Sequence, residues 1–406
     1  MKKYRHSPLA FMAFIVLLLP FTLAKAQPQP AFELVDSLKI NLTASLFGTE
    51  TPPYAKILKR GHEVFFLAAE TGRLYVIDLQ KGLIRPFLPA TDSLDVPQIA
   101  NFDLGPNSIF TIDRGENTLR EYDLNGQQIG STRLNRMFSA VYVSARINFA
   151  YNEQRNSFLL EVAEHSPERS MLRKPQRAKK HFERNNLIVE MDRNGKKLRY
   201  FGAFDSLYRQ QFYFHGSHYS FAVNKAGDLL LHQELSDAIQ LYPPPYERAK
   251  TLAFRGQHLK LPQQQLPITV APYFEVEDYY SHVISSYQYT YMTLLNSSGL
   301  CYRGYADAAT DSTLERSYPE RDLPAKPKMC VAPSPRKLDQ LDLLRQKPRY
   351  VQLIDPASGK LLFDGPFPFE GKYFLPSKDI DWQEFHTYSW NNGWLFIYTY
   401  KIVYPH

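Results

Sequence analysis

The segment RLYVIDLQKGLIRPF, residues 73–87, holds an alternating apolar run ending in Asp78, a short turn closed by Gly82, and a second run. TLREYDLNGQQI (118–129), LIVEMDRNGKKLRYF (187–201) and YVQLIDPASGKLLF (350–363) repeat it, with Asp123 and Gly126, Asp192 and Gly195, Asp355 and Gly359 in the same places. Period-two alternation marks a strand packed on one face. Gly supplies a positive φ, and an Asp side chain accepts hydrogen bonds from its own turn, so the repeated pair is structural. Asp78 and Asp123 stand 45 residues apart, the length of one four-stranded propeller blade.

Working outward from each hairpin finds the strands that complete it. In the second unit NFDLG (101–105), SIFTIDR (108–114), TLREYD (118–123) and QIGSTRL (128–134) are strands a, b, c and d, and AKIL, VFFLAAE, RLYVID and IRPFL fill the same places in the first. INFAYN, SFLLEVA, LIVEMD and KLRYFG make a third unit, SFAVN, DLLLHQE, AIQLY and RAKTLAF a fourth, and YTYMTLL, LCYRGYA, YVQLID and KLLFDG a fifth. A last hairpin, FHTYSW and WLFIYTY around Asn391-Asn392-Gly393, lacks an outer pair, which AFELVDSLKINL (31–42) supplies as one strand or two. The expected fold is all-β, a six-bladed β-propeller closed by both termini, with seven blades the alternative if residues 259–349 hide another hairpin.

The N-terminus must be set aside before the fold is read. Lys2, Lys3 and Arg5 precede an apolar run from Leu9 to Leu23, and Ala24-Lys25-Ala26 offers small residues for cleavage. The run is shorter than the roughly 20 residues a membrane helix needs. Residues 1–26 therefore read as a signal peptide and 27–406 as one propeller domain, exported to the periplasm or secreted, with no transmembrane segment and monomeric. Removing Lys2, Lys3, Arg5 and Lys25 lowers the formal charge from +7 to +3, too mild for nucleic acid. Cys301 and Cys330 are the two cysteines, and in an oxidising compartment they are either bridged or left as free thiols.

The repeat, the six-unit count and the leader resemble the secreted TolB-like and NHL-like six-bladed propellers of bacteria, including uncharacterised families common in Bacteroidota. The resemblance implies a fold and a compartment; it implies no activity, because one propeller fold hosts docking modules, sugar binders and a few hydrolases or lyases.

Topology narrows the search for a site. In a four-stranded blade the b–c loops and the d–a connections leave from one face. Two b–c insertions, at about residues 165–185 and 306–349, and the long d–a connection from Gln257 to Ser281 therefore elaborate the same face over blades 3 to 5. The first insertion is basic, with Arg169, Arg173, Lys174, Arg177, Lys179, Lys180 and Arg184 against Glu168 and Glu183. Polar residues at the ends of strands a and b are candidates for the central funnel: Asp113, Arg114, Glu161, Glu164, His215, His218, His232, Glu234, Tyr302, Arg303 and His386. His215, His218, His232 and Glu234 are residue types that suit Zn²⁺ or proton transfer, but their spacing is not diagnostic and aromatic neighbours favour packed histidines. No cofactor motif is present, and neither a cofactor nor a metal is expected. The expected function is a binding or interaction module for a protein or glycan, with a periplasmic hydrolase or lyase using the funnel residues as the alternative.

Overall fold

The computed structural model describes residues 30–41, 54–68, 71–88, 98–113, 118–134, 148–162, 182–183, 186–209, 219–260, 287–307, 350–371, 373–379, 384–391 and 394–403. The leader (1–26), Arg114, Glu164, His215, His218, Cys330 and most of the three long connections lie outside them.

The first strand, β1 (Ala31–Asn41), belongs to the last blade. Blade 1 runs from the axis outward as β2 (Tyr54–Arg60), β3 (Glu63–Ala68), β4 (Arg73–Asp78) and β5 (Leu83–Pro86). Blade 2 is β6 (Ile99–Leu104), β7 (Ile109–Asp113), β8 (Thr118–Tyr122) and β9 (Gln128–Arg133), and blade 3 is β10 (Phe149–Asn152), β11 (Ser157–Glu161), β12 (Asn186–Asp192) and β13 (Lys197–Ala203). Blade 4 is β14 (Tyr219–Val223), β15 (Leu229–Gln233), β16 (Ala238–Tyr242) and β17 (Lys250–Ala253). Blade 5 is β18 (Gln288–Leu294), β19 (Cys301–Ala306), β20 (Tyr350–Asp355) and β21 (Lys360–Pro366). In blade 6 the order is β22 (Tyr373–Leu375), β23 (Glu384–Asn391), β24 (Trp394–Val403) and then β1. Every pair is antiparallel, and the six sheets form the ring of a six-bladed propeller.

The sixth blade corrects the expected strand order. FHTYSW and WLFIYTY are its two middle strands, the innermost strand is the three-residue β22, and the N-terminus contributes one strand, the outermost. Lys401–Val403 continue β24, which pairs with β1 from Ala31↔Val403 to Asn41↔Trp394.

Apolar side chains fill every seam between consecutive blades, which decides six over seven. Phe65, Phe102 and Tyr122 pack between blades 1 and 2, Phe110, Phe158 and Val189 between 2 and 3, and Leu187, Phe201 and Leu231 between 3 and 4. Leu230, Met292 and Ile354 fill the next seam, Leu353, Phe374 and Phe385 the one after, and Ile57, Leu375 and Leu395 close the ring. No seam among the described residues is left for a seventh blade.

The repeated turns form as their chemistry requires. Asp78 Oδ1 accepts the amides of Gln80 and Lys81 at 3.0 Å, and Asp123 Oδ1 those of Asn125 and Gln127 at 2.9 and 2.8 Å. Gly82, Gly126, Gly195 and Gly359 all have φ between 65° and 86°. At Gly126 a Cβ would also collide with the Phe87 carbonyl oxygen.

Cys301 is a free thiol, not a bridged one. Cys330 lies outside the described residues, and Cys301 opens β19. Its side chain is fully buried beside Leu230, Ile239, Met292 and Ile354, and burial pushes the thiol up to about 12. Among the described residues no helix is long and apolar enough to cross a membrane.

Candidate functional site

Side chains alternate across a strand, so Cys301, Arg303 and Tyr305 on β19 face blade 4, while Tyr302 faces blade 6. Arg303 stands opposite Gln352, and Gln352 opposite Asp364, placing the three in one row across β19, β20 and β21. Arg303 Nε donates to Gln352 Oε1 at 2.8 Å, and Gln352 Nε2 donates to Asp364 Oδ2 at 2.7 Å. The Tyr305 hydroxyl donates to the other oxygen of Asp364. The rest of the guanidinium crosses the seam, donating to the carbonyls of Asp237 (2.9 Å), Phe254 and Ser236 in blade 4. It lies 3.9 Å from the ring centroid of Tyr289, whose hydroxyl donates to Asp237 Oδ1 at 2.6 Å and accepts from the Gly256 amide at 3.1 Å.

Arg303 is the largest fully buried side chain of the chain's described part. Burial lowers its pKa, opposed by Tyr289, Cys301, Asp237 and Asp364. A charge so deep persists only when its donors are matched, and here acceptors from two blades match them.

This polar platform also holds the roots of the long connections. The Gln257 amide donates to Asp364 Oδ2 at 3.0 Å, the His258 amide to the Tyr305 hydroxyl at 3.4 Å, and the Lys260 amide to Asp307 Oδ2 at 3.1 Å. The His258 ring stacks on Tyr350 with centroids 4.3 Å apart, and Tyr350 in turn stacks on Tyr305. Asp307 and Tyr350 bracket the 308–349 insertion, and Lys260 precedes the connection 261–286.

A second polar group sits on the same face at blade 3. Glu161 Oε2 accepts the Asn148 amide and its Nδ2, both at 3.0 Å, and Nδ2 also donates to the Tyr219 carbonyl of blade 4 at 2.7 Å. Burial raises the Glu161 carboxyl to about 7, the Asn148 bonds opposing. Phe182, inside the basic insertion, is buried against Phe204 and Tyr208, tying that loop to the blade 3–4 seam. Gln233 joins the same edge, accepting the Asp205 amide at 3.0 Å and donating to the Ala203 carbonyl at 2.9 Å.

Among the described residues the funnel candidates fall in separate places; Arg114, Glu164, His215 and His218 lie outside them. Of the named residues the structure brings together His232 and Arg303, which flank Tyr289, and Glu234, whose carbonyl accepts the Tyr289 amide at 2.8 Å. His232 is 1% exposed and neither ring nitrogen has a hydrogen-bond partner among the described residues; burial, reinforced by Arg303, drives its pKa well below 6.5 and holds it neutral. A neighbouring guanidinium repels a metal cation, and among the described residues no three His, Cys, Asp or Glu side chains form a metal group. Asp113 is 2% exposed and pairs with Arg120 Nε at 2.5 Å inside blade 2. Tyr302 is interblade core, its ring 4.2 Å from that of Phe374, with burial raising it to about 12. His386 lies near the start of β23, on the opposite face, where Nδ1 meets Thr399 Oγ1 at 3.1 Å.

Known structures share this architecture. A member of the DUF4221 family from Bacteroides vulgatus superposes with a TM-score of 0.62 at 11% identity, covering 93% of this chain and 100% of that one. A Bacteroides fragilis protein named as exported by inference superposes at 0.52 with 12% identity, covering 91% of this chain and 95% of that one. The likeness is one of fold. No family model and no curated protein sequence matches the chain.

Three residues that sequence reasoning missed line the axis. Lys56 of blade 1 donates to the carbonyls of Phe102 and Phe149, and Lys378, beyond β22, pairs with Asp103 of blade 2. The available signal was a charge inside an innermost strand, at Lys56 and Asp103, where apolar residues otherwise dominate.

Two of these groups give stability opposite pH slopes. Glu161, with its folded pKa raised from 4.5 to about 7, binds its proton more tightly in the native state, so its contribution is lost as pH rises through that window. His386 is lowered from 6.5 to about 4, by burial and then by Lys59, so its native state resists protonation and stability is lost as pH falls through that window. Each shift corresponds to roughly 3 kcal/mol at most. Urea unfolding between pH 4 and 8 should show Glu161→Gln gaining on the parent chain toward high pH and His386→Gln gaining toward low pH. Profiles parallel to the parent would refute both assignments.

Proposed function

We propose that this chain is an exported binding module that engages a protein or glycan through the loop-bearing face of blades 3 to 5. The observation that carries the reading is the platform itself. Asp364, held by Gln352 and through it Arg303, fixes the backbone at Gln257, Tyr305 fixes it at His258, and Asp307, at the root of the 308–349 insertion, fixes it at Lys260. Rigid roots lower the ordering cost a partner must offset when it meets a long loop. The basic leader residues and small-residue cleavage pattern support export, as does the fold likeness to the Bacteroides fragilis protein.

The test uses residues 27–406 displayed on a glycan array and cross-linked on intact cells, with parallel chains in which residues 165–184 or 308–349 are replaced by short Gly-Ser linkers. Binding that disappears with either replacement, and cross-links that fall on the loop-bearing face, support the reading. Binding unchanged by both replacements overturns it.

A hydrolase or lyase reading is favoured by one observation, the Glu161 carboxyl that holds a proton near neutral pH on this same face. It requires polysaccharide cleavage by the parent chain that Glu161→Gln abolishes.

A further inference from the structure

Three charges meet between the innermost strands of blades 1, 2, 3 and 6, away from the loop roots. Lys56 Nζ on β2 donates to the Phe102 carbonyl at 2.6 Å and the Phe149 carbonyl at 3.3 Å, reaching across to blades 2 and 3. Lys378 Nζ crosses from blade 6 to Asp103, 2.9 Å from Oδ1 and 3.2 Å from Oδ2. Asp103 is 2% exposed and already filled, since Oδ1 also accepts the Leu104 amide at 2.9 Å and Oδ2 the Tyr151 amide at 2.8 Å.

The trio carries two positive charges and one negative. Among the described residues Lys56 has only neutral carbonyls as direct partners, and burial pulls it down to about 8, with Asp103 opposing and Lys378 reinforcing. An ammonium has three N–H donors. Lys56 uses two and Lys378 spends its bonds on a single carboxylate, so each retains a donor among the described residues. The Lys378 side chain is 28% exposed and Lys56 is half-buried. At the nearby end of the axis Lys59 is neutralised by Asp379 at 2.5 Å, while Arg60 donates to the Gly105 carbonyl at 2.8 Å and has Glu63 and Asp379 as nearby counter-charges.

We propose that the axial space binds a small oxyanion, a carboxylate or a phosphate, against Lys56 and Lys378. The oxyanion neutralises the surplus charge and accepts the unspent donors, forming charge-assisted hydrogen bonds where burial lowers the local dielectric. Compact mono- and dianions fit this chemistry; cations and neutral solutes do not. The inference is independent of the loop-face reading, because no residue of the blade 4–5 platform takes part.

The test is thermal unfolding and calorimetry of residues 27–406 with sodium phosphate or sodium acetate, against sodium chloride at matched ionic strength. A saturable rise in Tm beyond chloride is expected with at least one of the two oxyanions, and the salt that produces it distinguishes phosphate from carboxylate. Lys56→Met should bind that anion about tenfold to a hundredfold more weakly, the loss of one charged hydrogen bond. Lys56→Gln, which keeps a donor for the Phe102 carbonyl but no charge, should weaken it likewise and guards against a Met variant that fails to fold. Chloride matching both oxyanions in the parent chain, or variants that respond as the parent does, would overturn the proposal.

Discussion

Arg303→Met should lower the free energy of unfolding by about 3–5 kcal/mol, a large part of the roughly 5–15 kcal/mol that holds a domain folded. Methionine fills much of the space of the arginine stem but donates nothing. The carbonyls of Ser236, Asp237 and Phe254 and the Gln352 side chain all lose a donor in a place that water does not reach. Tyr289 also loses the cation that lies over its ring. Asp364 keeps Tyr305, Gln352 and the Gln257 amide, so the damage falls on the blade 4 side of the seam. Arg303→Lys keeps the charge without the planar fork and should recover part of the loss. Urea unfolding followed by tyrosine fluorescence measures both, and a loss under about 1 kcal/mol for the Met variant would show that the platform is not a structural centre.

Beginning the chain at residue 42 in place of 27 should abolish cooperative folding. β1 is the last strand of blade 6 and the closure of the ring, paired with β24 along its length apart from an irregularity between Leu34 and Asp36. Its Phe32 ring meets Phe363, Phe369 and Phe385 edge-on with centroids 5.2 to 5.9 Å apart, and Ile40 packs between blades 6 and 1. Losing about ten ladder hydrogen bonds at ~1 kcal/mol each, together with buried Ile40 at ~2 kcal/mol and half-buried Phe32 at ~1 kcal/mol, removes an amount comparable to a domain's whole stability. It also leaves β24 as an open edge, which invites association with other chains. Size-exclusion chromatography and thermal unfolding of the 27–406 and 42–406 chains decide the matter, and a synthetic peptide of residues 30–41 should restore the transition when added in trans. A monomeric 42–406 chain with an unchanged Tm would overturn this account of closure.

Five blades were legible because each wrote its strands in period two, and four of them wrote the outer turn in Asp and Gly, blade 4 turning instead through Pro243-Pro244-Pro245. The sixth was misread because β22 has three residues, Tyr373, Phe374 and Leu375, too few to carry an alternation. The hairpin that follows then looked like an inner pair. The site was legible as a face and not as a set of side chains. Arg303 and His232 were picked out as funnel residues; strand alternation turns them into the blade 4–5 seam, just as it turns Tyr302 toward Phe374. Asp113 found its partner seven residues on, in Arg120 of the neighbouring strand. Glu161 was named, but its proton affinity comes from burial beneath Asn148 and Tyr219, which no spacing discloses.

Local chemistry was enough for the strands, the turns and the common face of the long connections, because alternation, a left-handed glycine and an aspartate that caps its own turn act within a dozen residues. The seams were decided only in three dimensions. Lys378 meets Asp103 across 275 positions of chain, and Lys59 meets Asp379 across 320. Such pairs depend on how far each blade is rotated against the next and on which carbonyls of the inner edge are left to be satisfied. Those quantities arise when the ring closes, and no single blade contains them.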